Sequence, residues 1–173
     1  MKQKLSVFVF FLLLSSSLSA QSQVETMLRD AKSFNEAYLN NDFKTYVKMI
    51  VPSIVELAGG AEIMERVSKE QYKTMTASGM EFISFTPNKP SKIMLGGNDL
   101  HAILPQELIT KIGGSTFKKT AYFLASSNND GKTWSFVDLE PYDNESIKTF
   151  VPTFSGDLEI PEVEYAEKIE KKQ

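Results

Sequence analysis

The sequence predicts an α+β fold: three N-terminal helices packed on a strongly bent antiparallel sheet. Two observations carry this. Up to Gly79 the apolar residues recur at three- and four-residue spacing, as on one buried stripe of a helix, and beyond Gly79 they alternate with period two, as on half-buried strands. The turn residues fall between the alternating runs, so helices and strands are segregated along the chain. That order belongs to α+β domains and not to repeated strand–helix–strand units.

In the first helix, Val24, Met27, Leu28, Ala31, Phe34, Tyr38 and Leu39 share one side while Arg29, Lys32 and Glu36 occupy the other, a stripe of about 18 residues. Asn40-Asn41-Asp42 stops it and can cap a second, shorter helix with Phe43, Tyr46, Val47 and Ile50 as its apolar members, ended by Pro52. Residues 54–58 fit neither template. Gly59-Gly60 breaks the chain before a third helix, in which Ile63, Met64, Val67, Tyr72 and Met75 form the expected buried stripe and Gly79 the stop.

Met80–Phe85 and Lys92–Leu95 read as short strands, separated by Pro87-Asn88-Lys89-Pro90 and closed by Gly96-Gly97-Asn98-Asp99. Longer strands follow. Leu100–Ile112 is expected to bend or bulge at Pro105, Phe117–Ser126 alternates well, and Thr133–Leu139 completes a meander. Gly113-Gly114-Ser115 and Asn128-Asn129-Asp130-Gly131 between them are hairpin turns.

Residues 1–20 read as an export signal. Lys2 and Lys4 precede the apolar run Leu5–Leu14, and small residues follow up to Ala20. The run is too short for a stable membrane anchor, which needs roughly 20 residues to cross ~30 Å of hydrocarbon. The expectation is an exported protein, periplasmic or extracellular, beginning near Gln21. Removing 20 of the 173 residues leaves 153, enough for one self-sufficient domain. The chain has no cysteine, which excludes disulfides, thiolate metal sites and a cysteine nucleophile. Loss of Lys2 and Lys4 takes the formal charge from −3 to −5, a balance that argues against a nucleic-acid partner.

The order of elements, the Asn41-Asp42-Phe43 link, the Gly59-Gly60 entry to the third helix and the closing strand Trp134-Ser135-Phe136-Val137 together resemble the nuclear transport factor 2-like, or SnoaL-like, family over residues 21–140. The resemblance implies a cone in which helices cover the concave face of the sheet and leave a pocket at the open end. It does not fix the function, since that family includes isomerases, dehydratases, cyclases and pure binding domains.

Polar residues inside apolar strands are the natural catalytic candidates, because partial burial displaces their pKa values. His101, the sole histidine, and Asp138 qualify; facing one another they would form an acid/base dyad, with Tyr38, Tyr46 and Tyr122 as the wall of the pocket. A second local pattern, Ser127-Asn128-Asn129-Asp130-Gly131-Lys132-Thr133-Trp134, resembles the Asp-box of sialidases and other propeller proteins, with Asn129 where that motif has aspartate. The resemblance implies a structural hairpin staple built from Ser127, Asn129, Asp130, Gly131, Thr133 and Trp134, not a catalytic group. One copy in so short a chain excludes a propeller of several blades of about 40–50 residues each.

Residues 141–161 are too apolar for a free linker and are expected to lie along the domain surface, whereas 162–173, rich in Glu and Lys, read as a solvated tail or frayed helix. Asn144-Glu145-Ser146 matches the N-glycosylation triplet. No metal or cofactor is expected. One histidine leaves only oxygen-rich metal sites, and no calcium loop, glycine-rich nucleotide loop or nucleophile elbow occurs. The sequence therefore points to a non-catalytic domain that binds a small apolar molecule or a protein partner. Two alternatives stay open, a cofactor-free isomerase or lyase using His101 and Asp138, and a homodimeric interaction module.

Overall fold

The computed structural model describes the backbone of residues 2–169 and the side chains of residues 21–169, so the expected export signal falls outside the described side chains. The first helix, α1, is Lys2–Leu39, with its described side chains running from Gln21. Met27, Ala31 and Phe34 are buried along one stripe. Asn41 ends the helix in a left-handed conformation (φ 60°), with the Asp42 N–H donating to the Ala37 carbonyl at 2.8 Å. Asparagine tolerates that conformation better than most residues, and the five-residue back-bond satisfies a carbonyl the helix end would leave orphaned. Asp42 then caps α2 (Phe43–Lys48), its carboxylate accepting from the Thr45 N–H at 3.1 Å.

Residues 54–57 fall within a further helix, α3 (Pro52–Leu57), capped by Ala58, with Pro52 in its first turn where a missing N–H costs nothing. Instead of three helices, four precede the sheet. α4 (Ala61–Ala77) corrects a second expectation: Ile63 and Val67 are exposed, and the helix turns Met64, Ser68, Tyr72 and Met75 inward. Its contacts to α2 and β1 cover only one margin of the core.

The sheet is antiparallel and strongly curled. Its strands are β1 (Met80–Pro87), β2 (Met94–Gly96), β3 (Asp99–Ile112), β4 (Ser115–Ser127) and β5 (Ser135–Asp138). β3 and β4 pair without a break from Ile112↔Ser115 to Leu100↔Ser127. Both β1 and β2 pair with the far edge of β3, one after the other. The expected irregularity at Pro105 is absent, and the bulge lies instead in β1 between Phe82 and Ser84. Pro105 fits because Tyr122 opposite it aims its carbonyl at Leu139, while the Pro105 carbonyl receives the Asn88 N–H at 2.8 Å. The proline nitrogen thus faces the gap between β1 and β2, where no ladder bond is lost.

The register sorts side chains onto two faces. Ala102, Leu104 and Gln106, with Ala125, Phe123 and Ala121 opposite them and Phe136 and Asp138 beyond, line the face under α1. There Phe34 meets Phe136 and Phe123 with ring centroids 5.2 and 6.1 Å apart. His101, Ile103, Pro105, Tyr122, Leu124, Val137 and Leu139 belong to the outer face. Residues 141–161 supply that face with its own layer. Ile147 in α5 (Ser146–Phe150), Val151, Phe154 and Leu158 are buried against that face, while most other residues of the segment stay exposed or half-buried. The described part of the tail is exposed at every residue. It forms no helix, and β6 (Glu167–Ile169) pairs with β4 at Thr116–Lys118.

Two attachments fix the helices to the sheet. The stretch between α2 and α3 closes the edge of β5, with the Phe136 N–H donating to Met49 at 2.7 Å and the Val51 N–H to Phe136 at 3.1 Å. At the β4–β5 hairpin, the buried Trp134 gives its backbone N–H to Asp30 at 3.0 Å and its indole N–H to the Gly131 carbonyl at 3.1 Å and the Thr26 hydroxyl at 3.2 Å.

Trp134→Ala should lower the unfolding free energy by about 3–5 kcal/mol through the lost packing, and Asp30→Ala by about 1–3 kcal/mol because the Trp134 N–H loses its partner. Urea titrations measure both, and an Asp30→Ala protein as stable as the parent would show that this bond does not hold α1 down. A Cβ at Gly96 would stand 2.0 Å from the Thr153 carbonyl oxygen, whereas one at Gly156 would meet nothing within 4 Å. Gly96→Ala is expected to lower the melting temperature and Gly156→Ala to leave it nearly unchanged.

Candidate functional site

The hairpin Ser127–Trp134 closes on itself. Asp130 and Gly131 take positive φ values of 61° and 80°. The Ser127 hydroxyl accepts the Gly131 N–H at 3.0 Å, and the Asn129 side-chain oxygen accepts the Thr133 N–H at 3.1 Å and the Ser127 hydroxyl at 2.9 Å. The Asn129 amide nitrogen also donates to the Thr133 hydroxyl at 2.8 Å. An aspartate here could accept the first two bonds but could not donate the third, so the amide keeps the turn closed with no net charge. None of these groups faces an opening where a ligand could react.

His101 and Asp138 do not meet. His101 pairs with Ser126 and Asp138 with Phe123, three residues and two strand spacings apart, which is roughly 14 Å. The odd offset also sends the two side chains to opposite faces of the sheet, so the sequence-expected dyad is not assembled. Asp138 sits near the exit of β5, its carboxylate accepting the Glu140 N–H at 2.9 Å. Surrounding protein pushes its pKa up, more than that N–H pulls it down. Its side chain nevertheless opens to water, and that access makes it a turn carboxylate rather than a buried acid.

His101 is fully buried, and neither ring nitrogen has a hydrogen-bond partner of good geometry. The Phe154 ring lies against it with centroids 6.2 Å apart, and Gly96 packs close to its Cδ2 edge. Burial drives its pKa down, while Asp99 and the Thr153 backbone pull it up by less. Asp99 itself is engaged by the Thr153 hydroxyl at 2.9 Å. A neutral imidazole sealed from solvent has no route by which to exchange a proton with a substrate.

The three tyrosines part company as well. Tyr38 on α1 and Tyr46 on α2 join an aromatic cluster with Phe34, Phe43, Tyr72, Phe82 and Phe85, Tyr38 and Tyr46 being 5.1 Å apart and Phe34 and Tyr46 stacked at 4.5 Å. Burial pushes the Tyr38 phenol up to about 12, helped by Tyr72, and raises Tyr46 further, helped by Tyr38 and Asp138. These rings fill the concave face where the resemblance implied a pocket. Beneath α1, the buried Asn35 amide donates to Gln106, whose own amide nitrogen has no partner. Tyr122 is on the outer face, and its hydroxyl donates to Glu164 at 2.6 Å. That bond raises the tyrosine and lowers the carboxyl.

The openings are on the outer face. An open cleft of about 1010 Å³, solvent at its mouth included, lies between the 89–92 loop and residues 157–161. Ile103 and Leu158 are buried in its floor, Pro105 and Tyr122 are half-buried beside them, and Lys89, Lys92, Asp157 and Glu159 stand exposed at its rim. Lys92 donates to the Asp157 carbonyl and so ties the two sides together. A smaller hollow of about 290 Å³ adjoins it, walled by Tyr122, Leu139, Tyr142, Ile160 and Val163. Among the described residues no group of three or more His, Asp or Glu is placed to hold a metal ion, and no helix is long and apolar enough to cross a membrane. Compared with known proteins, the chain matches no protein-family model, no curated protein and no solved structure.

Sequence reasoning missed the cleft apart from Tyr122. Its walls come from two segments about 65 residues apart, and the only local signal was the apolar content of Leu158 and Ile160 within a segment rich in turn residues.

Burial holds the His101 pKa below its ordinary value in the folded protein, whereas in the unfolded chain the ring titrates near ~6.5. Below that pH the unfolded state binds the extra proton, so stability falls as pH drops through the ordinary histidine range. The parent should lose more unfolding free energy between pH 7.5 and pH 5, roughly one unit on each side of that range, than His101→Leu does. Parallel losses in the two proteins would refute the assignment.

Proposed function

We propose that this chain is an exported, non-catalytic binding module of the nuclear transport factor 2-like type, which takes a small, largely apolar molecule in the outer-face cleft. The observation that supports it best is the cleft itself, with a buried apolar floor of Ile103 and Leu158 and a charged rim. Ligand sites are commonly concave and mostly apolar, with a few polar groups that orient the ligand. Lys89 and Lys92 at the rim favour a ligand with an anionic head. The family reading draws support from the order of helices and curled antiparallel sheet, and the export reading from the charge and hydropathy pattern of residues 1–20. The separation of His101 from Asp138 weighs against the isomerase or lyase alternative.

The test uses 1-anilinonaphthalene-8-sulfonate, an apolar probe with an anionic group. It should bind at one saturable site, and Lys89→Glu with Lys92→Glu should raise its Kd about tenfold, equivalent to about 1.4 kcal/mol. Lys44→Glu, in the distant α2, should leave it unchanged. Absence of a saturable site, or equal binding by the rim variant, would remove the reading.

A further inference from the structure

The outer edge of β4 is only half protected by the body of the domain. β5 covers residues 123–126 and the Leu139 N–H takes the Tyr122 carbonyl, and the rest of the stretch 116–122 is left to the C-terminal segment 162–169. That segment is weakly held. Its ladder consists of Thr116↔Ile169, Phe117↔Lys168 and Lys118↔Glu167, and its described side-chain anchor is the carboxylate of Glu164 on the Tyr122 hydroxyl, with Thr120 beside it. Every residue from 162 to 169 is exposed, Tyr165 at 93% and Val163 at 49%. Among the described residues only Val163 and Ile169 bury part of an apolar side chain there, and the ladder is three residue pairs long, so little fixes the segment.

What the edge offers is complementary to acidic side chains. Tyr122 donates to a carboxylate and Lys118 stands opposite Glu167 in the register; within the domain the Lys118 ammonium pairs with Glu107 at 3.3 Å and Lys119 with Glu140 at 2.6 Å, so both lysines already hold carboxylates at this edge. Beside it lies the hollow of about 290 Å³, open solvent included, with Val163 as part of its wall and about half of the valine surface in solvent. A second copy of β4 would be a poor occupant, because antiparallel pairing would bring Lys118 and Lys119 of the two copies together.

We infer that the β4 edge at residues 116–122 is a strand-addition site for an acidic, extended segment of a partner protein, and that residues 162–169 occupy it in cis as a displaceable strap. Main-chain ladder bonds provide the general affinity, and the carboxylate at the Glu164 position together with an apolar side chain in the hollow provides the selectivity. The strap competes at the high effective concentration of a tethered segment, about millimolar, so an incoming strand binds well only when the strap is loosened or when its own anchor fits the hollow better than valine.

The experiment keeps the full chain. Glu164→Lys with Glu167→Lys should loosen the strap, which hydrogen exchange reads as faster exchange at residues 167–169 with the β3–β4 amides unchanged. A fluorescein-labelled peptide with the sequence of residues 161–169 should then bind this variant at least about tenfold more tightly than it binds the parent chain, the fold-change for about 1.4 kcal/mol. The same peptide carrying Val163→Phe should bind more tightly, and one carrying Glu164→Gln and Glu167→Gln more weakly. Unchanged exchange at 167–169 would overturn the strap. Faster exchange without peptide binding, or binding indifferent to both peptide changes, would overturn the site.

Discussion

Trp134 decides where the helical layer sits on the sheet. Its backbone N–H is bound to Asp30 and its indole N–H to Gly131 and Thr26, so one residue of the β4–β5 hairpin is fastened to α1 at two points a helical turn apart. The hairpin can act as a clamp because its own turn is closed first, by Ser127 and Asn129. Gly131 is needed there for two reasons. Its φ is positive, and a Cβ would stand 2.6 Å from the Gln23 side chain of α1. With α1 fixed at this end, Phe34 falls over Phe136 and Phe123, and Asn35 reaches Gln106.

That placement has a consequence for function. Alanines at 102, 121 and 125 allow the helix to approach the sheet closely, and aromatic side chains fill the remaining space out to β1. The concave face is thereby committed to packing. The outer face is covered from His101 to Leu139 by residues 141–161, but that cover has no regular structure beyond α5. Irregular chain crossing a sheet leaves gaps where it leaves the surface, and both hollows adjoin the point near Pro161 where the chain turns toward the β4 edge. Binding capacity therefore collects where the second layer ends.

Local patterns in the sequence carried the elements well and their partners poorly. The first helix, the Asp42 cap and the long strands are each determined within a window of about 15 residues or fewer, and pattern reading succeeds at that range. The turn at Asn129–Gly131 was legible because positive φ values need those residue types. The failures share a different cause. Ile63 and Val67 have helical spacing, yet among the described residues none covers them on that side of α4. His101 and Asp138 were paired on residue type alone; their register depends on how many strands separate them, which no local window contains. Pro105 looked like a point of strain because its neighbours were unknown, and the gap between β1 and β2 removes the strain.

The buried polar groups argue in the same direction as the geometry. A catalytic acid or base must be poised near neutrality and must exchange protons with bulk water between turnovers. His101 satisfies neither requirement: burial favours its neutral form and Phe154 and Thr153 seal it in. Gln106 is equally enclosed and carries no titratable proton. Asp138 has access to water but accepts a bond from its own turn and faces away from both hollows. By contrast, the groups that reach solvent beside the openings, Lys92, Lys119, Tyr122 and Glu164, are hydrogen-bond donors and acceptors. Such groups can orient and hold a ligand or an extended chain without transferring a proton, and recognition is the chemistry this arrangement favours.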